Sequence, residues 1–360
     1  MLFFKSKSFK VVLLLFVLYL FLVSIDLFGA AFKLFGKDTA RELIESTSNP
    51  FAGLLIGILA TSIIQSSSTT TSILVALVGA GALSVDCAIP IVMGANIGTT
   101  ITNTFVSMGH ISRKAEFERA LAGAIVHDFF NLLAVIVFFP LQYYTKFLSY
   151  GAVFLANIFK EVGGLKFASP MKVLTRPAVE IIVKLSGESS IIVIILALLF
   201  LFLALRYLVI LLKSLFLERL EAFFDKYIFK TTFRALLFGL FLTTLVQSSS
   251  VTTSLVVPLV AAGILKLEKI YPYTLGANVG TTITAILASL YTGQISAITV
   301  AFAHLLFNIS GICVFLPLKQ IPIYLARLMS KLAMKNRIYP IIFVLFVFFF
   351  LPLGLLYLTK

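Results

Sequence analysis

Charged residues are scarce in this sequence. Only 12% of its 360 residues are Asp, Glu, Lys or Arg, whereas 60% are hydrophobic. A soluble domain of this length could not bury so much apolar surface, so the composition excludes a soluble globular fold and predicts an all-α polytopic membrane protein. The 29 basic residues outnumber the 15 acidic ones, but they are scattered between apolar spans, as expected of cytoplasmic loops that face anionic lipid. The positive charge therefore indicates membrane lipid, and not nucleic acid, as its partner.

Cysteines and catalytic motifs are also sparse. Cys87 and Cys313 lie in apolar stretches without ligand spacing, so they do not indicate a metal site. The Gly-x-Ser-x-Gly elbow of many serine hydrolases is absent. An intramembrane hydrolase with His127 or His304 as the base is the enzymatic alternative, but it needs one activated serine. Since the serines described next occur in two matched sets of three, we predict a protein that is not an enzyme.

Two copies of one polar stretch are the main feature of the chain. Gln65-Ser66-Ser67-Ser68 lies within Thr61–Ser72, and Gln247-Ser248-Ser249-Ser250 lies within Thr243–Ser254. Eight of the 12 positions are identical, at an offset of 182 residues (247 − 65). Single hydroxyls in membrane helices usually bond back to their own helix. A duplicated cluster inside apolar runs instead indicates a place against protein or a water-lined cavity.

The apolar run around each cluster has the wrong length for one span. Residues 51–85 hold 35 residues without a charge, and as one helix they would measure about 50 Å against roughly 30 Å of hydrocarbon. Two half-helices fit better. We therefore predict re-entrant helical hairpins at about 51–83 and about 235–265, with the Gln-Ser-Ser-Ser blocks at their tips.

A second motif repeats at the same offset. Residues 94–102 and 276–284 are identical at eight of nine positions and share the pattern Gly-Ala-Asn-x-Gly-Thr-Thr-Ile-Thr. Two glycines and an asparagine make a poor continuous helix, and membranes tolerate unwound backbone where it lines a cavity or is covered by protein. The motif predicts broken transmembrane helices at about 87–108 and 270–290.

The chain divides into four parts. A first membrane repeat covers 1–140, an interfacial linker 141–190, a second membrane repeat 191–318, and a basic segment with a terminal transmembrane helix 319–360. Two alternatives stay open. The apolar run after Lys10 is a first helix, ending near residue 32, or a signal peptide, and the linker lies at the interface or includes one more span.

The two repeats should have inverted topology. A re-entrant hairpin adds no crossing, so each repeat crosses three times, and an odd number inverts the second repeat. With this topology, the cytoplasmic segments hold 18 Lys and Arg and the outer segments 10, in agreement with the positive-inside rule. Inverted repeats with discontinuous helices are the architecture of secondary transporters. The sequence therefore predicts a multi-pass transporter of the plasma membrane that works by alternating access.

The chemistry of the tips suits an anion together with a cation. The N-terminus of a half-helix favours an anion, serine hydroxyls add donors, and neutral amide and hydroxyl oxygens accept a cation such as Na⁺. No Lys or Arg lies in the four motif segments, so a bound oxyanion would need cations beside it. The predicted anion-binding residues are Gln65, Ser66, Ser67, Ser68, Asn96, Thr100, Gln247, Ser248, Ser249, Ser250, Asn278 and Thr282. The predicted Na⁺ ligands are Gln65, Ser68, Asn96, Thr99, Gln247, Ser250, Asn278 and Thr281.

The doubled Gln-Ser-Ser-Ser block, each followed by Gly-x-Asn-x-Gly-Thr-Thr, closely resembles the type II sodium/phosphate cotransporter family, which has bacterial members. The resemblance covers roughly residues 50 to 318. It implies Na⁺-driven symport of inorganic phosphate, with both ligands bound between the two tips and the neighbouring Asn96 and Asn278 segments, and no cofactor other than Na⁺ as the coupling ion. Many bacterial relatives append a cytoplasmic helical domain, which we do not expect within residues 341–360.

An acid lies near the middle of the apolar span Leu121–Pro140, which follows the first broken helix. His127 and Asp128 are about ten residues from the preceding charged loop, and His304 matches His127, whereas Leu305 occupies the place of Asp128. A mid-membrane acid is a functional residue by default, so we predict a coupling role for Asp128 and His127. The alternative is a structural hydrogen bond between helices.

Several alternatives in function stay open at this level. The transported anion could be sulfate or a dicarboxylate, the coupling ion could be H⁺, and a channel with re-entrant loops is a further option. Stoichiometry, an elevator or rocking motion, and oligomeric state, with a homodimer as one option, are not predicted.

Overall fold

The structure is a computed structural model that describes residues 7–46, 49–161, 168–216 and 228–358. Within these residues every regular element is a helix. The first half contains α1 (Lys7–Ser46), α2 (Pro50–Ile64), α3 (Ser67–Gly79), α4 (Val85–Gly98), α5 (Ile101–Met108), α6 (Lys114–Thr145), α7 (Phe147–Glu161) and α8 (Ala168–Leu185). The second half contains α9 (Ser190–Phe216), α10 (Thr232–Val246), α11 (Ser249–Ser254), α12 (Val257–Ala261), α13 (Leu267–Thr292), α14 (Ile295–Phe315), α15 (Gln320–Lys335), α16 (Tyr339–Leu345) and α17 (Leu351–Leu358).

Four stretches of the described residues are helical, long enough and apolar enough to cross a membrane. They are Val85–Met108, Lys114–Thr145, Ile295–Phe315 and Tyr339–Leu358. The last of these is mostly exposed, because only 17% of its most apolar 18-residue stretch is buried. Such exposure is expected of a lipid-facing helix. The helices agree with the prediction of an all-helical polytopic membrane protein, and α7 and α8 of the predicted linker are not among the four.

The first hairpin is defined by a close backbone contact between α2 and α4. A Cβ atom added to Gly94 would lie 2.0 Å from the carbonyl oxygen of Leu54, and one added to Gly98 would lie 2.7 Å from that of Ile58. Because the contact advances four residues along both helices, α2 and α4 run parallel. Therefore α3 must return the chain between them, and α2 and α3 form a helical hairpin with Gln65 at its tip.

The second half repeats this arrangement. A Cβ atom added to Gly276 would lie 1.9 Å from the carbonyl oxygen of Leu236, and one added to Gly280 would lie 2.8 Å from that of Leu240. Accordingly α10 and α13 run parallel, and α11 and α12 return the chain. Small residues allow membrane helices to approach this closely.

Only the first of the two predicted helix breaks is observed. α4 ends at Gly98 and α5 begins at Ile101. The predicted break within 270–290 is wrong, because α13 is continuous from Leu267 to Thr292. The glycines of its motif pack against α10 in helical conformation and do not unwind the backbone.

One further boundary differs from the prediction. We expected the first helix to end near residue 32 and a short interfacial helix to lie within 33–50, but α1 continues to Ser46. The drop in hydropathy at Lys33 fits the edge of an apolar layer, and charged residues are compatible with a continuing helix. We expected residues 213–234 to resemble 33–50, and half of that segment, 217–227, lies outside the described residues.

Candidate functional site

The two tip glutamines adopt the same left-handed conformation. Gln65 has φ 59° and Gln247 has φ 55°, a region that costs a non-glycine residue about 1–2 kcal/mol. Each backbone N–H donates at 2.7 Å to the carbonyl four residues earlier. Each side-chain oxygen accepts from a threonine of the second motif, Thr102 for Gln65 at 2.9 Å and Thr284 for Gln247. Each glutamine therefore ends one half-helix and ties the tip to the neighbouring motif.

The first serine of each block caps the returning helix. The hydroxyl oxygen of Ser66 accepts from the N–H of Thr69 at 3.2 Å, and that of Ser248 accepts from the N–H of Val251 at 3.3 Å. Both residues are half-buried. The capping pattern confirms that a helix N-terminus begins at each predicted tip.

Two of the remaining serines, Ser68 and Ser250, connect the two halves. Ser68 Oγ donates to the carbonyl oxygen of Gln247 at 3.3 Å, so the two tips are in contact. Ser250 Oγ donates to the carbonyl oxygen of Thr99, at the interruption between α4 and α5, at 3.1 Å. This bond satisfies a carbonyl near the interruption. Ser249 Oγ is buried and has no hydrogen-bond partner among the described residues, so it is a hydroxyl available to a ligand.

Reciprocal histidine–asparagine contacts join the repeats. His127 Nε2 lies 2.7 Å from Asn278 Oδ1, and the equivalent His304 Nε2 lies 3.3 Å from Asn96 Oδ1. An amide oxygen only accepts, so each Nε2 carries the proton. In both contacts, the histidine of one repeat meets the motif asparagine of the other.

The two motif asparagines differ in what they can still bind. Asn278 Nδ2 donates to Asn131 Oδ1 at 2.7 Å, so both ends of its amide are occupied. Asn96 Nδ2 is buried and has no partner among the described residues. Asn96 therefore offers a free donor, which suits an oxyanion better than a cation.

The four predicted threonine ligands bond mainly within their own repeat. The hydroxyls of Thr99, Thr100, Thr281 and Thr282 donate to carbonyls three or four residues earlier, at 2.6–3.1 Å. This is the ordinary behaviour of threonine in a helix. Each oxygen retains an acceptor site, so the arrangement leaves room for a cation without requiring one.

Asp128 breaks the symmetry of the site. It is fully buried in α6, and neither carboxylate oxygen has a hydrogen-bond partner among the described residues. The Thr100 hydroxyl, at the interruption between α4 and α5, interacts with the carboxylate but lies outside hydrogen-bond geometry. A buried carboxylate without partners is costly, so its oxygens are open to a cation or a proton.

Sequence reasoning missed one polar pair at the site. Asn103 Nδ2 lies 2.8 Å from Thr253 Oγ1, which in turn lies 3.1 Å from Asn103 Oδ1. The pair links α5 to α11 across the two repeats. Position 285, the counterpart of Asn103, is alanine, and this departure from the repeat was the available signal.

Comparisons with known proteins identify the family of this chain. The model of the Na⁺/Pi-cotransporter family matches residues 20–162 and 199–359. Sodium-dependent phosphate transport protein 2A of Rattus norvegicus is 34% identical over 96% of this chain and 67% of its own length. Sodium-dependent phosphate transport protein 2B of Homo sapiens is 32% identical over 96% of this chain and 64% of its own length. The chain thus spans about two thirds of these relatives.

No solved structure matches the chain significantly. The family match covers both motif pairs and most of the helices described above. The protein therefore belongs to the Na⁺/Pi-cotransporter family, a family of membrane transporters.

Proposed function

We propose that this protein takes up inorganic phosphate together with Na⁺ across the plasma membrane by alternating access. The names of its relatives refer to sodium-dependent phosphate transport. The observation that carries the proposal is the meeting of two serine-rich tips, through Ser68 and Gln247, in segments that contain no Lys or Arg.

Phosphate would bind through neutral donors between the tips. Ser249 Oγ and Asn96 Nδ2 are both buried, and neither has a partner among the described residues. Unpaired buried donors cost about 1–3 kcal/mol each, and a phosphate oxygen would relieve that cost. The serine N–H groups at the start of α3 would add further donors.

Sodium would balance the charge. Phosphate carries one or two negative charges at neutral pH, and no basic residue of the motif segments opposes them. Asp128 adds another negative charge with open oxygens, and the oxygens of the threonines at the interruption are hard ligands close to it. Binding of phosphate is then coupled to binding of Na⁺, because neither the phosphate nor the Asp128 carboxylate is stable in this buried site without cations.

The reciprocal histidine–asparagine contacts are those expected of an approximate twofold axis between the repeats, and such an axis supports alternating access. If each hairpin is re-entrant, the approximate twofold axis lies in the membrane plane and the repeats are inverted. In that arrangement, one tip faces the side to which the site is open and the other faces the closed side, and they exchange these positions when the site opens to the opposite side of the membrane.

The test is ³²P-phosphate uptake into proteoliposomes with an inward Na⁺ gradient, with K⁺ in place of Na⁺, and with a pH gradient. We expect accumulation that requires Na⁺ and is reduced more by excess unlabelled phosphate than by sulfate. Ser67→Ala and Ser249→Ala should raise the phosphate KM by about 10- to 100-fold, the value of a hydrogen bond to a charged ligand. Gln65→Ala and Gln247→Ala should raise the Na⁺ requirement.

The matched control is Ser289→Ala, because Ser289 is a buried hydroxyl on α13 that bonds only to its own helix. Ser289→Ala should leave the phosphate KM and the Na⁺ requirement unchanged. Wild-type kinetics in all four tip variants would contradict the site. Uptake driven by protons but not by Na⁺ would contradict the coupling ion, and Asp128→Asn would then identify the proton acceptor.

A further inference from the structure

A second acid lies in an apolar stretch outside the tips. Asp26 is the only charged residue between Lys10 and Lys33. It is half-buried in α1, and an acid within an apolar helix needs a partner to be tolerated. Position 208, its counterpart at the repeat offset, is leucine, so this acid is not a product of the duplication.

Two buried hydroxyls from distant parts of the chain meet this carboxylate. Thr175 Oγ1 of α8 lies 2.7 Å from Asp26 Oδ2, and Tyr291 Oη of α13 lies 2.5 Å from the same atom. The two hydroxyls also contact one another. Thr175 is fully buried and Tyr291 is 1% exposed. Three helices therefore bring three oxygen-bearing side chains to one point.

Within the described part of the chain, no basic side chain balances the charge of this cluster. Among the described side chains, no Lys or Arg nitrogen lies within 4 Å of the Asp26 carboxylate. Arg176, the next residue after Thr175, pairs with Glu180 at 2.7 Å. Hydroxyl donors stabilise a carboxylate, but they do not neutralise it.

The composition of the cluster selects the class of ion. All its ligand atoms are oxygens, which suits a hard cation and not a transition metal. One carboxylate carries a single negative charge, so a monovalent ion leaves the cluster neutral. A hydroxyl oxygen has two lone pairs besides the hydrogen that it donates, so a hydroxyl that donates to a carboxylate can also be a ligand of such an ion.

We infer that Asp26, Thr175 and Tyr291 form a second cation site, for a monovalent hard cation such as Na⁺. Tyr291 lies 13 residues beyond Asn278 on the continuous helix α13, about 20 Å along its axis, so this site is separate from the tips. A cation here would join α1 and α8 to the helix that holds Asn278. Binding of a cation at this site does not require the proposed function. Only an effect of that cation on transport rests on the proposed function.

The direct test is binding of ²²Na⁺ to the purified full chain in detergent, without phosphate. We expect Asp26→Asn to bind one Na⁺ fewer per chain than the wild type, and Tyr291→Phe to weaken that Na⁺ by roughly 10-fold, as for the loss of one oxygen ligand. The matched control is Asp86→Asn, which neutralises an exposed acid that pairs with Lys146, and it should bind Na⁺ as the wild type does.

Equal stoichiometry and affinity in wild type and Asp26→Asn would overturn the inference. If Asp26→Asn does not fold, Tyr291→Phe decides, since wild-type affinity in that variant would also overturn it. Phosphate uptake separates this result from the proposed function. If Asp26→Asn binds one Na⁺ fewer but phosphate uptake by the wild type does not depend on Na⁺, this site is supported and the proposed coupling is refuted. If uptake is driven by Na⁺ but Asp26→Asn binds Na⁺ as the wild type does, the coupling is supported and this site is refuted.

Discussion

Replacing Gly276 by alanine should force α10 and α13 apart. The new Cβ would lie 1.9 Å from the carbonyl oxygen of Leu236, whereas ordinary contact begins at 3.4 Å, so the helices would have to separate by about 1.5 Å. Both atoms in conflict belong to helical backbone, or are bonded directly to it, so no rotamer change relieves the contact. Overpacking typically costs about 1–3 kcal/mol, and this contact should fall at the upper end.

The assay is the thermal midpoint of the purified protein in detergent, followed by size-exclusion chromatography. At about 2 °C per kcal/mol for larger domains, Gly276→Ala should lower the midpoint by about 6 °C. Transport should fall further, because Asn278 lies two residues along the same helix and meets His127 at 2.7 Å, and a displacement of about 1 Å is enough to impair a site.

Gly354→Ala is the matched control. Gly354 also lies in a helix, but a Cβ atom there would meet nothing within 4 Å. Alanine is favoured over glycine in a helix by about 1 kcal/mol, so the midpoint should stay the same or rise. Equal midpoints for the Gly276 and Gly354 variants would refute the close helix crossing.

Two further predictions concern contacts between the repeats. His127→Leu should raise the phosphate KM by about 5- to 100-fold in the uptake assay, because it removes the Nε2 donor and leaves the buried side-chain oxygen of Asn278 unpaired at about 1–3 kcal/mol. His304→Leu should do less, since its contact is 3.3 Å and not 2.7 Å, and a larger effect of His304→Leu would contradict this ranking. A double-mutant cycle of Asn103→Ala and Thr253→Val on the thermal midpoint should show a coupling of about 1 kcal/mol, whereas additive effects would argue against the bond.

Local patterns predicted the helical parts of the molecule well. α2, at the start of the first predicted hairpin, is capped locally, because the side chain of Asn49 accepts from the N–H of Phe51 at 2.9 Å and proline is tolerated in the first turn. The Gln-Ser-Ser-Ser blocks were expected at the ends of half-helices, and Gln65 and Gln247 are at those ends. Helix caps and helix ends depend on residues that are close together in the chain, so they can be predicted from short stretches of the sequence.

The second helix break shows where the repeat misled the prediction. Residues 94–102 and 276–284 are nearly identical, yet only the first motif is interrupted. Glycine permits both an unwound backbone and a close helix crossing, and which one occurs depends on the neighbouring helix. Near the first motif, Ser250 donates to the carbonyl of Thr99, an interaction between residues 151 positions apart.

The sequence by itself determined the family, the duplication at an offset of 182 residues, and the absence of basic residues from the polar motifs. Tertiary structure alone decided which polar atoms are used and which are open. Asn278 is occupied at both ends of its amide while Asn96 keeps a free donor, and Asp26 meets hydroxyls 149 and 265 residues away. The physical reason is that hydropathy and capping act over a few residues, whereas a polar atom in a membrane interior is satisfied by whichever helix packs beside it.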